Sequence, residues 1–403
     1  MAIILFSVFT ARTTDAFTLS ANTHEETVPE EIASSFSTIR TRFLSRSVHR
    51  SEIEDARHCE IPIFCGDVFL SQRTRETSFV VSARLADLSA IGRYLDTLSG
   101  EIEKNPKNAI FGENDKHEII LVEPSESGSE LDKPGAILSI RDAIESGLER
   151  AILPVRTSEP EIADGDSDRL GIRELIAEGT TDFTGSTETR IHNIRRALEQ
   201  YQGLLIAPGE EFSFVERLGD VDGEHGYLPE LVIKHDRTEP DFGGGICQVS
   251  STLFRAAINA GLKITARKNH AYPVHYYEPY GMDATVYVPE PDLRFMNNTP
   301  GYLLVQSEIV GKRLSFRLYG TNDGRSIEID GPHILESNPD GSMKTTFSQK
   351  VVNTSGETII ADDFPSNYKS PDLYPKPETI LTEKPADWSK RQWREYLEAK
   401  NAG

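Results

Sequence analysis

The run Asp241-Phe242-Gly243-Gly244-Gly245-Ile246-Cys247-Gln248-Val249-Ser250-Ser251-Thr252 constrains this chain more than any other segment. Beyond Cys247 the apolar residues Val249, Leu253, Ala256, Ala257 and Ala260 recur at helical spacing, and Gly261 stands where a left-handed cap ends a helix. Three glycines therefore deliver a cysteine to the start of a buried helix. Unpaired backbone N–H groups and the positive end of the helix dipole favour thiolate there. Glycine has no Cβ, so a substrate or another backbone can come close to the sulfur. The plainer reading is a small buried thiol beside a tight turn.

Downstream, Arg267-Lys268-Asn269-His270-Ala271-Tyr272-Pro273-Val274-His275-Tyr276-Tyr277, a turn at Glu278 to Met282, and Asp283 to Val288 read as strand, turn, strand. Cysteine on a helix, histidine on one strand and carboxylate on the next are the parts of a nucleophile, base and orienting group. His270 and His275 compete for the base. Alternation separates His275 from Tyr272, Val274 and Tyr276, and puts His270 at the strand entrance.

A set of collinear pieces covers about 150 residues. They are Phe183-Thr184-Gly185-Ser186 with Arg190 and His192-Asn193-Ile194; Ile206-Ala207-Pro208-Gly209-Glu210 with Phe212-Ser213-Phe214; Gly226-Tyr227; Gly243 to Thr252; Arg267 with His270; Gly281 with Asp283-Ala284-Thr285; and Asp292-Leu293 with Phe295 and Asn297-Asn298. In this order the segment resembles the VanW family. That resemblance implies cell-wall work outside the cytoplasmic membrane and an L,D-transpeptidase-type reaction. In it, a cysteine attacks the peptide bond after the third residue of a stem peptide, releases D-alanine, and passes the acyl group to an amine. Cys247 would be the nucleophile and His270, preferred over His275, the base. Asp283 as orienting group is inferred from spacing. Gly244, Gly245, Gln248, Arg267 and Tyr277 are the candidate substrate-binding residues, with backbone N–H groups near Cys247 as oxyanion donors. A hydrolase of the same bonds and a non-catalytic wall-binding or glycopeptide-response protein are the alternatives. His192 reads as structural. The span Leu95 to Val155 more loosely resembles the module, regarded as peptidoglycan-binding, that precedes VanW domains.

A formal net charge of −21 argues against nucleic acid as partner, because a phosphate backbone would be repelled. No cofactor or metal is expected: His58 with Cys59 and Cys65 lacks a second ligand pair, and His270 with His275 is a lone pair. Cys59 and Cys65 close a small loop if oxidised, leaving Cys247 as the odd thiol; two unpaired cysteines are the alternative. The apolar start, Ala2 to Ala11, is too short to span a bilayer. It reads either as a signal or anchor remnant, suited to membrane anchoring of an extracytoplasmic protein, or as a buried strand.

The fold class expected is α+β: an α/β wall-binding-type module, then a VanW-like domain whose cysteine helix packs on an antiparallel sheet carrying His270 and Asp283. The divisions are 1–20 (remnant), 55–160 (module), 170–320 (VanW-like domain), 321–376 (β extension) and 377–403 (polar tail). Helices are expected from Ser82 to Glu103, from Ile137 and from Thr187 to Tyr201, while Ala16 to about Glu54 reads either as a juxtamembrane linker or as a first helix around Pro29 to Ser45. Hairpins are expected at Tyr302–Ile309 with Arg313–Tyr319, and at Met343–Val352 with Glu357–Ala361. A short amphipathic end with Trp388 and Trp393 closes the chain.

Overall fold

The computed structural model describes residues 17–22, 24–46, 77–234, 237–374, 384, 388–394 and 397. Residues 1–16, Cys59 and Cys65 fall outside these, so the expectations placed on them do too. The chain divides into two units, Met1–Asn108 with Ser125–Ala163, and Ala109–Pro124 with Asp164–Gly403.

In the first unit, strand Phe17–Ala21 pairs antiparallel with His24–Val28 and parallel with Arg150–Ile152. The helix Leu88–Ile102 buries Ile91, Leu95, Leu98 and Ile102, one stripe at helical spacing. It begins later than its apolar pattern suggests. Thr77–Ala86 is a strand instead, paired along its length with Ser37–Arg46, and the Asp87 carboxylate caps the helix by accepting from the Ser89 and Ala90 N–H groups. The same pairing cuts the expected helix at Pro29 to Ser45 down to Glu30–Ser35. A second helix, Lys133–Glu145, is capped by Asp132 and packs Ala136, Ile140 and Ile144 into the same core. Local propensity lost both contests to a partner strand.

The second unit is built around the helix Ile246–Asn259, in which Val249, Leu253, Phe254 and Ile258 have no exposed surface. Burying each stabilises the fold by about 1.5–3 kcal/mol. One side meets a four-stranded antiparallel sheet in the order Glu174–Asp182, Arg313–Gly320, Leu303–Val310, Leu204–Ile206. The approach is close enough that a Cβ on Gly179 would lie 2.2 Å from the Ala256 amide nitrogen. Phe254 also meets Phe347 and Phe364 of a second sheet, Ser326–Ser337, Met343–Val352 and Thr358–Tyr368, at ring distances of 6.1 and 6.0 Å. The second expected hairpin is thus two strands of a three-stranded sheet.

The helix Glu188–Leu198 buries Ile191, Ile194, Ala197 and Leu198 and is capped by Thr187. The hairpin Ile110–Glu113 with Ile119–Glu123 lies within the span 55–160 yet belongs to the second unit. There the Glu113 carboxylate accepts from Arg317 at 2.9 Å and from the Tyr319 hydroxyl. Trp388 is buried against Phe242, ring centroids 6.3 Å apart.

The strand-turn-strand expected over 267–288 does not form. This segment is irregular apart from a short 3-10 turn, His275–Tyr277. Prolines at 273 and 279 remove ladder donors, and side chains satisfy the carbonyls that a sheet would have used. Arg255 donates to the carbonyls of Met282 (3.0 Å) and Tyr277 (2.6 Å), Arg267 to those of Asp283 (2.7 Å) and Gly281 (2.8 Å), and Ser250 to that of Ala284 (2.6 Å). His270 and Asp283 therefore sit on a loop strapped down by buried arginines.

Candidate active site

The glycine run acts through backbone geometry. Gly243 has φ of 82° and Gly245 of 115°, where a side chain is strained. Gly244 is excluded for another reason, since its Cβ would lie 2.7 Å from Glu230 Cβ and 2.8 Å from the Leu231 carbonyl oxygen. Asn193, fully buried in the preceding helix, locks the turn by donating to the carbonyls of Leu228 (2.8 Å) and Gly244 (3.1 Å) and accepting from the Leu228 N–H (2.8 Å). Gly245 is the N-cap residue and offers no side-chain cap, so Cys247 lies in the first turn, between the Ile246 and Gln248 N–H groups that donate to the Gly243 (3.0 Å) and Gly245 (2.9 Å) carbonyls.

Cys247 is partly exposed and His270 is 3% exposed. Asp283 Oδ2 lies 2.5 Å from His270 Nδ1 and also accepts from the His270 backbone N–H at 2.8 Å. With Nδ1 so occupied, Nε2 is the nitrogen left to hydrogen-bond the sulfur. Asp283 Oδ1 accepts from Tyr368 (2.5 Å) and Arg267 (3.2 Å). Sγ lies 3.6 Å from the Thr285 hydroxyl and 3.5 Å from the Val286 carbonyl oxygen. Tyr277 stacks on the imidazole, ring centroids 4.5 Å apart at 25°.

The electrostatics follow from these contacts. Burial pushes the Cys247 thiol up, but the hydrogen bond and charge of His270 outweigh it and bring the thiol below its ordinary value. Burial pulls His270 down, yet Asp283 and the sulfur raise it to about 9. Burial likewise disfavours the charged Asp283, but His270, Arg267 and Tyr368 hold its carboxyl well below the usual carboxylate range. The two shifts run in the direction that favours thiolate and imidazolium over the neutral pair. Alkylation of Cys247 by iodoacetamide at pH 7 should therefore be faster than that of an ordinary thiol near 8.5, which is only about 3% ionised there, and His270→Ala should slow it. Superimposable pH profiles for the two proteins would rule out the ion pair. Any turnover that needs a proton from His270 should fall as pH rises through about 9.

Gly244, Gly245 and Tyr277 line the same cavity as Cys247 and His270, with a volume of about 620 Å³. Gln248 and Arg267 do not. Gln248 is fully buried behind the wall, donating to the Thr181 hydroxyl at 2.7 Å and accepting from Arg190 at 3.2 Å. Arg267, expected to touch substrate, is instead buried as the countercharge of Asp283, with side-chain exposures of 5% and 3%. His275 is exposed at the cavity mouth, and His192 bonds the Gly226 carbonyl at 2.8 Å. Tyr368 escaped the sequence reading because it lies in the β extension, 85 residues from Asp283, with no local signal. Thr285 and Arg190 were legible only as parts of a family pattern, without a role. Among the described residues, His24, Glu26 and Glu101 have metal-ligand spacing; none of them lines this cavity.

The arrangement suits acyl transfer: a cysteine at a helix start, an imidazole beside it and a buried carboxylate that fixes the ring. Comparison with known proteins agrees on the region. The model of the family described as VanW like protein matches residues 189–319. The chain is 29% identical over 241 residues to the uncharacterized protein YoaR of Bacillus subtilis, covering 59% of this chain and 77% of YoaR. It is 32% identical over 117 residues to the vancomycin B-type resistance protein VanW of Enterococcus faecalis, covering 28% of this chain and 42% of that protein. No solved structure matches. The chain thus carries a VanW-like domain over residues 189–319, which holds Cys247, His270 and Asp283 and leaves Tyr368 outside it.

Proposed function

We propose that this protein is a cysteine acyltransferase of the L,D-transpeptidase type, acting on peptidoglycan stem peptides outside the cytoplasmic membrane. The observation that carries the reading is the Cys247–His270–Asp283 chain of contacts opening on a cavity within the size range of small-ligand sites. Likeness to a vancomycin-resistance protein supports a cell-wall substrate. Among the described residues no helix is long and apolar enough to cross a membrane. The span 55–160 is proposed as a wall-binding module from its element order, although its hairpin Ile110–Glu123 belongs to the second unit.

In the proposed reaction the Cys247 thiolate attacks the carbonyl carbon after the third stem residue. The oxyanion that forms would be stabilised by the backbone N–H of Cys247 at the helix start. Collapse breaks the C–N bond, His270 gives its proton to the departing D-alanine amine, and a thioester remains. An acceptor amine then attacks the thioester, His270 takes the amine's proton, and the thiolate is regenerated. Asp283 stays ionised and fixes the imidazole throughout.

Incubation with purified tetrapeptide muropeptides should give cross-linked dimers and an intact-mass adduct on Cys247, both abolished by Cys247→Ala. Trimmed monomers in place of dimers would make water the acceptor and the protein a hydrolase. Undiminished muropeptide binding by Cys247→Ala, with no adduct on the native protein, would leave a binding protein.

A further inference from the structure

The cavity beside Cys247 is rich in acids, with Asp220, Asp222, Glu230 and Asp241 in its lining, so an anionic ligand needs a cation not already committed. Two arginines line it. Arg391 pairs with Asp222 at 3.4 Å and Glu224 at 2.6 Å. Arg190 has no carboxylate partner among the described residues: its Nη2 donates to Gln248 Oε1 (3.2 Å) and the Tyr277 hydroxyl (3.4 Å), both neutral, and its guanidinium lies 4.3 Å from the centre of the Tyr276 ring. Its Nη1 is screened from solvent and has no hydrogen-bond partner among the described residues. Donors kept from both water and protein acceptors cost free energy until an acceptor reaches them.

Placement gives this spare cation a meaning. Gln248, which Arg190 grips, follows the nucleophile in the chain, and Tyr277 stacks on the base. A peptide extending one residue past the scissile carbonyl puts its terminal carboxylate on the order of 4 Å from the reacting carbon. We infer that Arg190 anchors the free C-terminal carboxylate of the acyl donor, so that the pocket accepts peptides ending one residue beyond the bond that is cleaved. Tyr276, whose ring covers the guanidinium and lines the cavity, turns aside for the carboxylate to reach both Nη atoms. The inference rests on the proposed reaction for its meaning, but the anchor itself can be tested by binding alone.

The probes are one synthetic stem tetrapeptide ending in D-alanine, prepared as free acid and as C-terminal amide. Acylation of Cys247 by the native protein should favour the acid about 100-fold in kcat/KM, the scale of a charge-assisted paired hydrogen bond. Arg190→Gln should erase that preference by slowing the acid about 100-fold while leaving the amide within about threefold, and Arg190→Lys should restore part of it. Binding of both peptides to Cys247→Ser, with and without Arg190→Gln, reports the anchor without turnover. If acid and amide react and bind alike in the native pocket, or if Arg190→Gln weakens both equally, the anchor is overturned and the acyl-transfer reading stands. Absence of binding by either peptide also overturns it. If neither peptide acylates Cys247 but acid binding depends on Arg190, the anchor stands and the acyl-transfer reading falls.

Discussion

Asp283→Asn should slow acyl-adduct formation on Cys247 by about 10³- to 10⁴-fold, the scale found when the orienting carboxylate of a serine protease triad becomes an amide. In this fold the substitution acts twice. An asparagine side chain can present its NH₂ to His270 Nδ1, which moves the ring proton to Nε2 and leaves no lone pair to accept a proton from the thiol. It also removes the charge that raises His270 to about 9, and with it the imidazolium that stabilises the thiolate. Arg267, with 5% side-chain exposure, then keeps its charge without a countercharge, which costs about 3–5 kcal/mol when one partner of a buried pair is removed. Two measurements separate the effects: the iodoacetamide rate at pH 7, which should fall with the adduct rate, and the melting temperature, which should drop. An adduct rate within tenfold of the native protein would remove Asp283 from the mechanism. Tyr368→Phe, deleting one neutral donor to Oδ1, should produce a much smaller change in both.

Gly179→Ala should destabilise the second unit by about 3 kcal/mol or more. The added Cβ would lie 2.2 Å from Ala256 N, 2.4 Å from Thr252 O and 2.9 Å from Ala256 Cα, all backbone atoms of the cysteine helix. No rotamer change relieves such contacts, so the helix must move off the sheet, at the upper end of overpacking costs or beyond. At roughly 2–4 °C per kcal/mol for a unit of this size, the melting temperature should fall by about 10 °C. Because that helix carries Cys247, the fast alkylation at pH 7 should be lost in parallel. A variant melting within 2 °C of the native protein would mean that the helix and sheet are not in the contact described.

The main parts of the site were legible in the sequence because their signals are local. A helix pattern starting at a glycine run is set within a dozen residues by backbone freedom and apolar spacing, which places Cys247 without knowledge of the fold. The hairpin Leu303–Val310 with Arg313–Gly320 was equally local, marked by Gly311 between two alternating runs. The segment 267–288 looked like two strands because it alternates. What it lacked was a partner, and side chains of Arg255, Arg267 and Ser250 took its carbonyls instead. Residues 37–45 and 82–86 erred in the opposite direction, the first open to a helix reading and the second read as helix, and each lies in a strand that pairs with the other.

Sequence by itself determined that a glycine run delivers one thiol to a helix start, and that two histidines and an aspartate follow it along the chain. The burial of His270 against Asp283 with His275 left exposed, the use of Arg267 as countercharge to the carboxylate, and the arrival of Tyr368 from the last sheet were decided only by tertiary structure. Each depends on which charges and donors are buried together. A buried charge is tolerated only beside its complement, and those complements lie up to 99 residues apart along the chain, from Arg267 to Ser366.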